Sequence, residues 1–540
     1  MTRQVDTFVR DQLPPTELWP ILDFSACPEL RYPVRLNCAG VLLDRRVAAG
    51  DANRPAILFA GVAWTYGDLL ASANRIANVL VSDLGLVPGN RVLLRGPNNP
   101  MLAACWLAVL KAGGVCVTTM PLLRARELAY VIDKAQIGLA LIDSRGRAEC
   151  DQAAESAPVL QRIVCYGDGG EGEETLEALM RARPATFENV DTAADDAAII
   201  AFTSGTTGQA KGTVHFHRDI LAVCDLFPRS VVRPSRDDIF CGSPPLAFTY
   251  GLGGLLIFPL RAGASTLLLE QATPPHLLQG MQDFGATICF TAPTAYRTMA
   301  GMVKDFNLSR LRKCVSAGEH LPAATFERWE AATGIRIIDG IGSTEMLHIF
   351  ISASENEARP GSTGKVVQGY HAKIVSEAGN QLSRGTVGHL AVQGPTGCRY
   401  LGNEERQRAY VRDGWNLPGD SYRTDDDDYF WYQARTDDLI VSSGYKISGP
   451  EVENVLLDHP AVLECGVIGV PDEERGHVVK AFVVLRPEHA GNAELVKELQ
   501  DFAKRVIAPY KYPRAIEFVT SLPRTETGKL QRYRLRVDSA

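Results

Sequence analysis

The run Thr203-Ser204-Gly205-Thr206-Thr207-Gly208-Gln209-Ala210-Lys211-Gly212 follows the apolar segment Ala197 to Phe202 and has the composition of a phosphate cradle. Glycines let backbone N–H groups approach phosphate oxygens, hydroxyls add donors, and Lys211 adds a positive charge. A P-loop has Gly directly before its Lys, whereas this chain has Ala210 there, so an ordinary P-loop NTPase is disfavoured. Judged alone, the segment also fits a flexible Ser/Thr/Gly surface turn. A second candidate, Asp339-Gly340-Ile341-Gly342-Ser343-Thr344-Glu345, follows apolar Ile335 to Ile338. Its glycines permit close backbone approach, Thr344 can donate to a phosphate and Glu345 can hold Mg²⁺, although an ordinary strand–helix turn fits equally well. Further along, Gly419-Asp420 offers a carboxylate suited to a ribose diol, followed by Arg435. Near the end, Pro523-Arg524-Thr525-Glu526-Thr527-Gly528-Lys529-Leu530 sets Lys529 after a Gly turn; on its own such a lysine is more often a solvated surface residue.

These groups need a scaffold. Helical periodicity over Leu69 to Leu84, a short apolar strand at Arg91 to Leu94 and a second helical stretch over Leu102 to Ala112 predict an α/β chain with parallel strands. Gly167 to Glu174 reads as a surface loop, and Asp425 to Asp428 as a solvated turn rather than a metal cluster. Past Arg435-Thr436-Asp437-Asp438 the pattern tightens. A helix at Glu451 to Leu457, strands at Ala461 to Val470 and Lys480 to Leu485, and a helix at Ala493 to Val506 predict a small α+β domain. The predicted organisation is a large N-terminal domain over 1–436, with several subdomains and parallel-rich sheets, and a small C-terminal domain over 437–540. A cleft would lie between them.

A chain of 540 residues exceeds one core, and 46% hydrophobic with 22% charged residues describes an ordinary globular protein. The net charge of −7 lacks the basic excess that nucleic-acid binding requires. No apolar secretory segment opens the sequence, so a cytoplasmic protein is expected. The uncharged stretch from Ile239 to Leu260 contains Pro244, Pro245 and Pro259 and is expected to be buried core and pocket wall, not a membrane span. Twelve cysteines without a Cys-x-x-Cys pair predict reduced, mostly buried thiols.

Taken together and in this order, the motifs resemble the acyl-adenylate-forming superfamily of acyl-CoA synthetases, luciferases and peptide-synthetase adenylation domains. The resemblance spans nearly the whole chain and implies ATP and coenzyme A as reactants with Mg²⁺ as cofactor. It makes Thr203, Ser204, Gly205, Thr206, Thr207, Gly208 and Lys211 the phosphate loop. Ala317, Gly318 and Glu319, after Ser316, frame the nucleotide with Asp339, Gly340, Ile341, Gly342, Ser343 and Thr344. It further implies that Glu345 holds the metal, Asp420 binds the ribose with help from Arg435, Tyr432 joins the nucleotide-binding residues, Asp437 is the hinge of a mobile C-terminal domain, and Lys529 is the adenylation lysine. Ser443, Gly444, Tyr445 and Lys446 would face coenzyme A after the domain turns. Pro418 and Ala434 depart from the Thr and Gly that the family often has beside Asp420 and Arg435.

The substrate class rests on Ala247-Phe248-Thr249-Tyr250-Gly251. Adenylation domains for α-amino acids carry Asp directly after Phe, whereas Thr249 here has no charge for an ammonium group. The sequence ends about ten residues after Lys529, so a free-standing ligase without a carrier domain is expected. Phe248 to Gly253, Phe258, and Gly342-Ser343-Thr344-Glu345-Met346-Leu347-His348-Ile349-Phe350 are most similar to benzoate and 2-aminobenzoate CoA ligases. That resemblance implies a small aromatic carboxylic acid bound by Thr249, Tyr250, Phe258, Ala292, Gly342 and His348. Tyr250 and Phe258 are expected to sandwich its ring, with His348 orienting the carboxylate or capping the pocket. Thr249 is expected to hydrogen-bond an ortho substituent, which favours 2-aminobenzoate over benzoate. A medium-chain fatty acyl-CoA synthetase and a non-catalytic acyl- or nucleotide-binding protein are the rival readings, and a homodimer is suggested only by analogy.

Overall fold

The computed structural model describes residues 2–167, 175–203, 210–321, 323–435, 439–523 and 532–537. Runs of Val, Leu and Ile too apolar to alternate form strands buried on both faces, the signature of parallel sheets covered by helices. One such sheet orders Arg162–Tyr166, Leu139–Asp143, Arg91–Arg95, Val115–Thr119 and Ala197–Thr203 in parallel and is closed by antiparallel Lys211–Phe216. A second, nine-stranded sheet has a parallel centre of Ile337–Gly342, Lys313–Ser316, Ile288–Thr291, Ile239–Gly242, Ser265–Leu267 and Pro55–Phe59. Antiparallel strands flank this centre on both sides. A third sheet, running from His371–Val375 to Phe430–Arg435, is antiparallel throughout.

The helices begin where local chemistry caps them. Tyr66–Ser82 starts ahead of its first periodic apolar residue because Thr65 and Asp68 satisfy each other's backbone N–H groups in a capping box. Pro100–Lys111 starts at a proline behind the cap Asn99, whose side chain accepts from Leu102 N. The smaller C-terminal domain packs Gly449–Leu457 and Ala493–Val506 against the strands Val462–Asp472, Gly476–Leu485 and Ala515–Phe518.

The second glycine-rich segment departs from expectation. Asp339 to Gly342 is not a loop: the strand continues through it, exchanging its parallel neighbour Lys313–Ser316 for antiparallel Ile349–Ser352. A Cβ at Gly340 would lie 2.9 Å from the Ile349 side chain, and one at Gly342 would lie 2.6 Å from His348 O. The glycines thus serve close strand packing. The acidic run is a turn in which Asp425 accepts from Asp427 N, Tyr429 N and the Trp431 indole. Of Gly167 to Glu174, residues 168–174 lie outside the described residues. Ile239 to Leu260 is strand, short helices and loop of the core, and no helix among the described residues is long and apolar enough to cross a membrane. All cysteines are unpaired, and all but Cys165 are buried.

One buried ion pair ties the sheets together. Arg399 donates to Asp219 at 3.0 Å with both side chains 0% exposed, and its guanidinium lies 4.4 Å from the Phe216 ring and 5.1 Å from Trp19. Asp219 also accepts from Phe216 N at 3.0 Å. Removing one partner of a fully buried pair strands the other's charge. Arg399→Leu is expected to cost the large domain about 3–5 kcal/mol. Urea unfolding monitored separately for the two domains should show an earlier transition for the large domain and an unchanged one for the small domain.

Candidate functional site

Strand ends converge on a single hollow. Gly96 to Asn98, Met120, Thr203, Ser243 to Pro245, Ala292 and Ala317 to Gly318 lie at or just beyond the carboxyl ends of parallel strands in both large sheets, and all line a cavity of about 860 Å³. Open α/β sheets bind ligands at that edge, where helices and turns offer free backbone groups. Asn98 stiffens one wall by donating to Pro244 O at 3.0 Å and accepting from Leu246 N at 2.8 Å, while Ser243 and Thr291 share a 2.5 Å hydroxyl contact. Sequence reasoning missed Asn98 and Ser243; the available signal was a polar Asn98-Asn99 pair just beyond an apolar strand.

One end of the cavity is aromatic and uncharged. Tyr250 donates to Val315 O at 3.0 Å and Thr291 O at 3.3 Å, which fixes its ring. Thr249 begins the short helix Thr249–Leu252, and its hydroxyl has no hydrogen-bond partner among the described residues. His348 is 3% exposed and ringed by Phe258 at 4.5 Å, Phe227 at 5.6 Å and Tyr250 at 5.8 Å between centroids. Neither ring nitrogen meets a partner among the described residues, and burial drives its pKa down to about 3, so the imidazole is neutral. Phe258 is 1% exposed, packs behind His348 and is not part of the cavity lining. The expected sandwich of Tyr250 and Phe258 is therefore not formed, because the His348 ring packs against both of them. Thr249, Tyr250, Ala292, Gly342 and His348 do gather around the cavity.

The other end is polar and rich in backbone. Thr203, Ala317, Gly318, Gly342, Ser343 and Thr344 line it. A tight turn sets these groups, with Met346 N donating to Ser343 O and Leu347 N to Thr344 O, and Leu347 adopts a φ of 70°. Thr344 O accepts from His215 Nε2 at 2.7 Å. A carbonyl can only accept, so the proton sits on Nε2, and burial drives the His215 pKa down to about 4. Glu345 accepts from the Tyr400 hydroxyl at 2.7 Å. Ser343 and Tyr410 share a 3.3 Å contact. Burial also pushes Glu319 up to about 7 and Asp339 up to about 8.

Lys211 opens its strand opposite Thr203 and is 9% exposed. Gly340 and Ile341 lie in the strand behind the turn. Asp420 pairs in register with Arg435 on the third sheet, and Tyr432 there stacks on His320 at 5.2 Å. Asp420 and Tyr432, with Glu319, Asp339, Glu345 and Lys211, are not part of the lining of the main cavity. From the small domain, Ser443, Gly444 and Tyr445 reach the cavity on a hairpin whose two tip residues have φ of 48° and 82°, and Lys446 continues its second strand. Ser204, Gly205, Thr206, Thr207, Gly208, Asp437 and Lys529 lie outside the described residues. No cluster of three or more His, Cys, Asp or Glu able to hold a metal exists among the described residues. Glu345, the expected metal carboxylate, accepts from Tyr400 and stands outside the lining of the main cavity, beside Thr344, which does line it.

The AMP-binding enzyme model matches residues 44–400, and the AMP-binding enzyme C-terminal domain model matches 451–529. Benzoate–CoA ligase of Thauera aromatica is 36% identical over 94% of this chain and 97% of that protein. The 3-hydroxybenzoate–CoA ligase of Aromatoleum sp. (strain CIB) is 31% identical over 93% and 96%. The crystal structure of the anthranilate CoA ligase AuaEII in complex with anthranoyl-AMP superposes with a TM-score of 0.74 at 34% identity, covering 94% of this chain and 98% of that one. The match of the first model over most of the chain, with the second beyond it, establishes that this protein belongs to the AMP-binding enzyme family.

Proposed function

We propose that the protein is an ATP-dependent aryl carboxylate–CoA ligase that forms an aryl-adenylate and then a thioester, with 2-aminobenzoate or benzoate as the acid. The observation that carries this reading is one cavity with an aromatic, uncharged end at Thr249, Tyr250 and His348 and a polar, glycine-rich end at Thr203, Gly318 and Gly342 to Thr344. Similarity to ligases named for benzoate, 3-hydroxybenzoate and anthranilate supports it. A neutral His348 offers no cation at the aromatic end, so the acid's carboxylate belongs at the polar end and its ring against Tyr250 and His348. The unpartnered Thr249 hydroxyl is then available to an ortho amino group.

In the first half-reaction a carboxylate oxygen bonds to the α-phosphorus of ATP while the bond to pyrophosphate breaks. Thr203 to Lys211 and Thr344 would hold the phosphates, Asp420 with Tyr432 and Arg435 the ribose, and Lys529 would offset charge on the transferring oxygens. Glu345 would hold Mg²⁺, which neutralises the triphosphate when bound. In the second half-reaction the coenzyme A sulfur bonds to the carbonyl carbon. AMP leaves with the electrons of the broken C–O bond, and the thiol proton passes to water. Asp437 would be the hinge between 1–436 and 437–540 that exchanges Lys529 for Ser443 to Lys446 between the steps.

Specificity constants for ATP- and coenzyme A-dependent thioester formation test the substrate class. Both aryl acids should exceed octanoate, and 2-aminobenzoate should exceed benzoate; a preference for octanoate would overturn the reading. Lys529→Ala should slow adenylate formation on the order of a hundredfold while sparing thioester formation from supplied aryl-adenylate. A Cβ at Gly253 would stand 2.4 Å from His348 Cδ2 and 2.9 Å from Phe258 Cζ, so the imidazole must move. Gly253→Ala should raise the KM for the aryl acid on the order of tenfold and leave that for ATP unchanged.

A further inference from the structure

Glu127 stands at the start of the helix Ala125–Ala135 in the large domain, and both its carboxylate oxygens are occupied. Oε1 accepts from Lys511 of the small domain at 2.5 Å. Oε2 accepts from Arg124 N at 2.9 Å and from Ala508 N of the small domain at 3.0 Å. Lys511 also reaches Glu451 at 2.8 Å. The Glu127 and Lys511 side chains are only 10% and 6% exposed. A second ion pair across this seam, Arg126 to Asp458, is more than half exposed at both ends and contributes little.

Glu127, Glu451, Tyr510 and Lys511 themselves line the cavity, and a continuous set of contacts joins them to its aromatic end. Tyr510, next to Lys511, stacks on Tyr445 at 4.2 Å, and Tyr445 in turn meets Phe248 edge-on at 6.3 Å. Phe248 directly precedes Thr249 and Tyr250. The hairpin tip Ser443-Gly444 and Tyr445 therefore face Ala292 and the aromatic end only while the small domain keeps this orientation. We propose that Glu127 and Lys511 form a latch between the domains that holds the hairpin at the acyl end, making both positioning residues for thioester formation. The proposal rests on the two-step reading above and adds to it the contact that selects the second orientation. Rotation of the small domain must break the pair, so the adenylation orientation does not use it.

Glu127→Gln keeps the cap on the helix but removes the charge, and Lys511→Met keeps the apolar stem. Each variant should form the aryl-adenylate, read by pyrophosphate release, within about twofold of wild type. Each should slow transfer from supplied aryl-adenylate to coenzyme A on the order of tenfold, and Lys511→Arg should recover most of that loss. Equal slowing of both steps, or no slowing of transfer, overturns the latch. So does a defect in Lys511→Met alone, which would mark Lys511 as a contact to coenzyme A phosphates, because Glu127→Gln should leave anion binding intact or strengthen it. Small-angle X-ray scattering gives a readout independent of turnover. If the wild type makes adenylate but no thioester, the two-step reading fails, and scattering still decides the latch. A profile shifted in both variants supports the latch, and an unchanged profile overturns it.

Discussion

Everything at the site depends on where parallel strands stop. The two large sheets turn their carboxyl ends toward one hollow, so strand ends deliver Met120, Thr203, Ser243, Ala292 and Ala317 to its wall without a long loop. Short connections leave little conformational entropy to lose when a ligand binds. The same arrangement explains the glycines. Gly342 lets a strand pass its antiparallel neighbour at a distance that a side chain would forbid, and the turn after it carries Ser343 and Thr344 into the hollow.

Burial then sorts the titratable groups. His215 and His348 are both held neutral, and the first fixes the Thr344 carbonyl while the second forms part of an apolar end. Desolvation pushes the Glu319 and Asp339 carboxyls upward instead. The result is a site with an aromatic, uncharged end and a polar end, and the proposed chemistry assigns adenylate formation to the latter. The Arg399 and Asp219 pair, beside Tyr400 and its contact to Glu345, supports the polar end from within the core.

The sequence was most legible where local chemistry is decisive. The helix Ala493–Val506 has a capping Asn492 and a strong apolar stripe, and it lies where the pattern predicts. The motif order likewise foretold the family. Legibility was poorest where distant parts decide. Glycines at 340 and 342 read as a loop because a strand interior normally excludes them, and only the return strand Ile349–Ser352 explains them. Phe258 read as a clamp because spacing cannot reveal that His348 packs against it. Glu127 and Lys511 lie 384 positions apart, and the local capping of Arg124 N by Glu127 gives no sign of their pairing.

The hairpin that carries Ser443 and Gly444 turns in two residues, both at positive φ, and so has no slack. Its tip behaves as the end of a stiff lever whose aim is inherited from the body it grows from. Substitutions at the tip are confined to residues that tolerate the left-handed region, chiefly Gly, Asn and Asp besides the Ser present. Evolution can therefore retune what this tip meets more readily by shifting the seam beneath the small domain than by lengthening or rebuilding the tip itself.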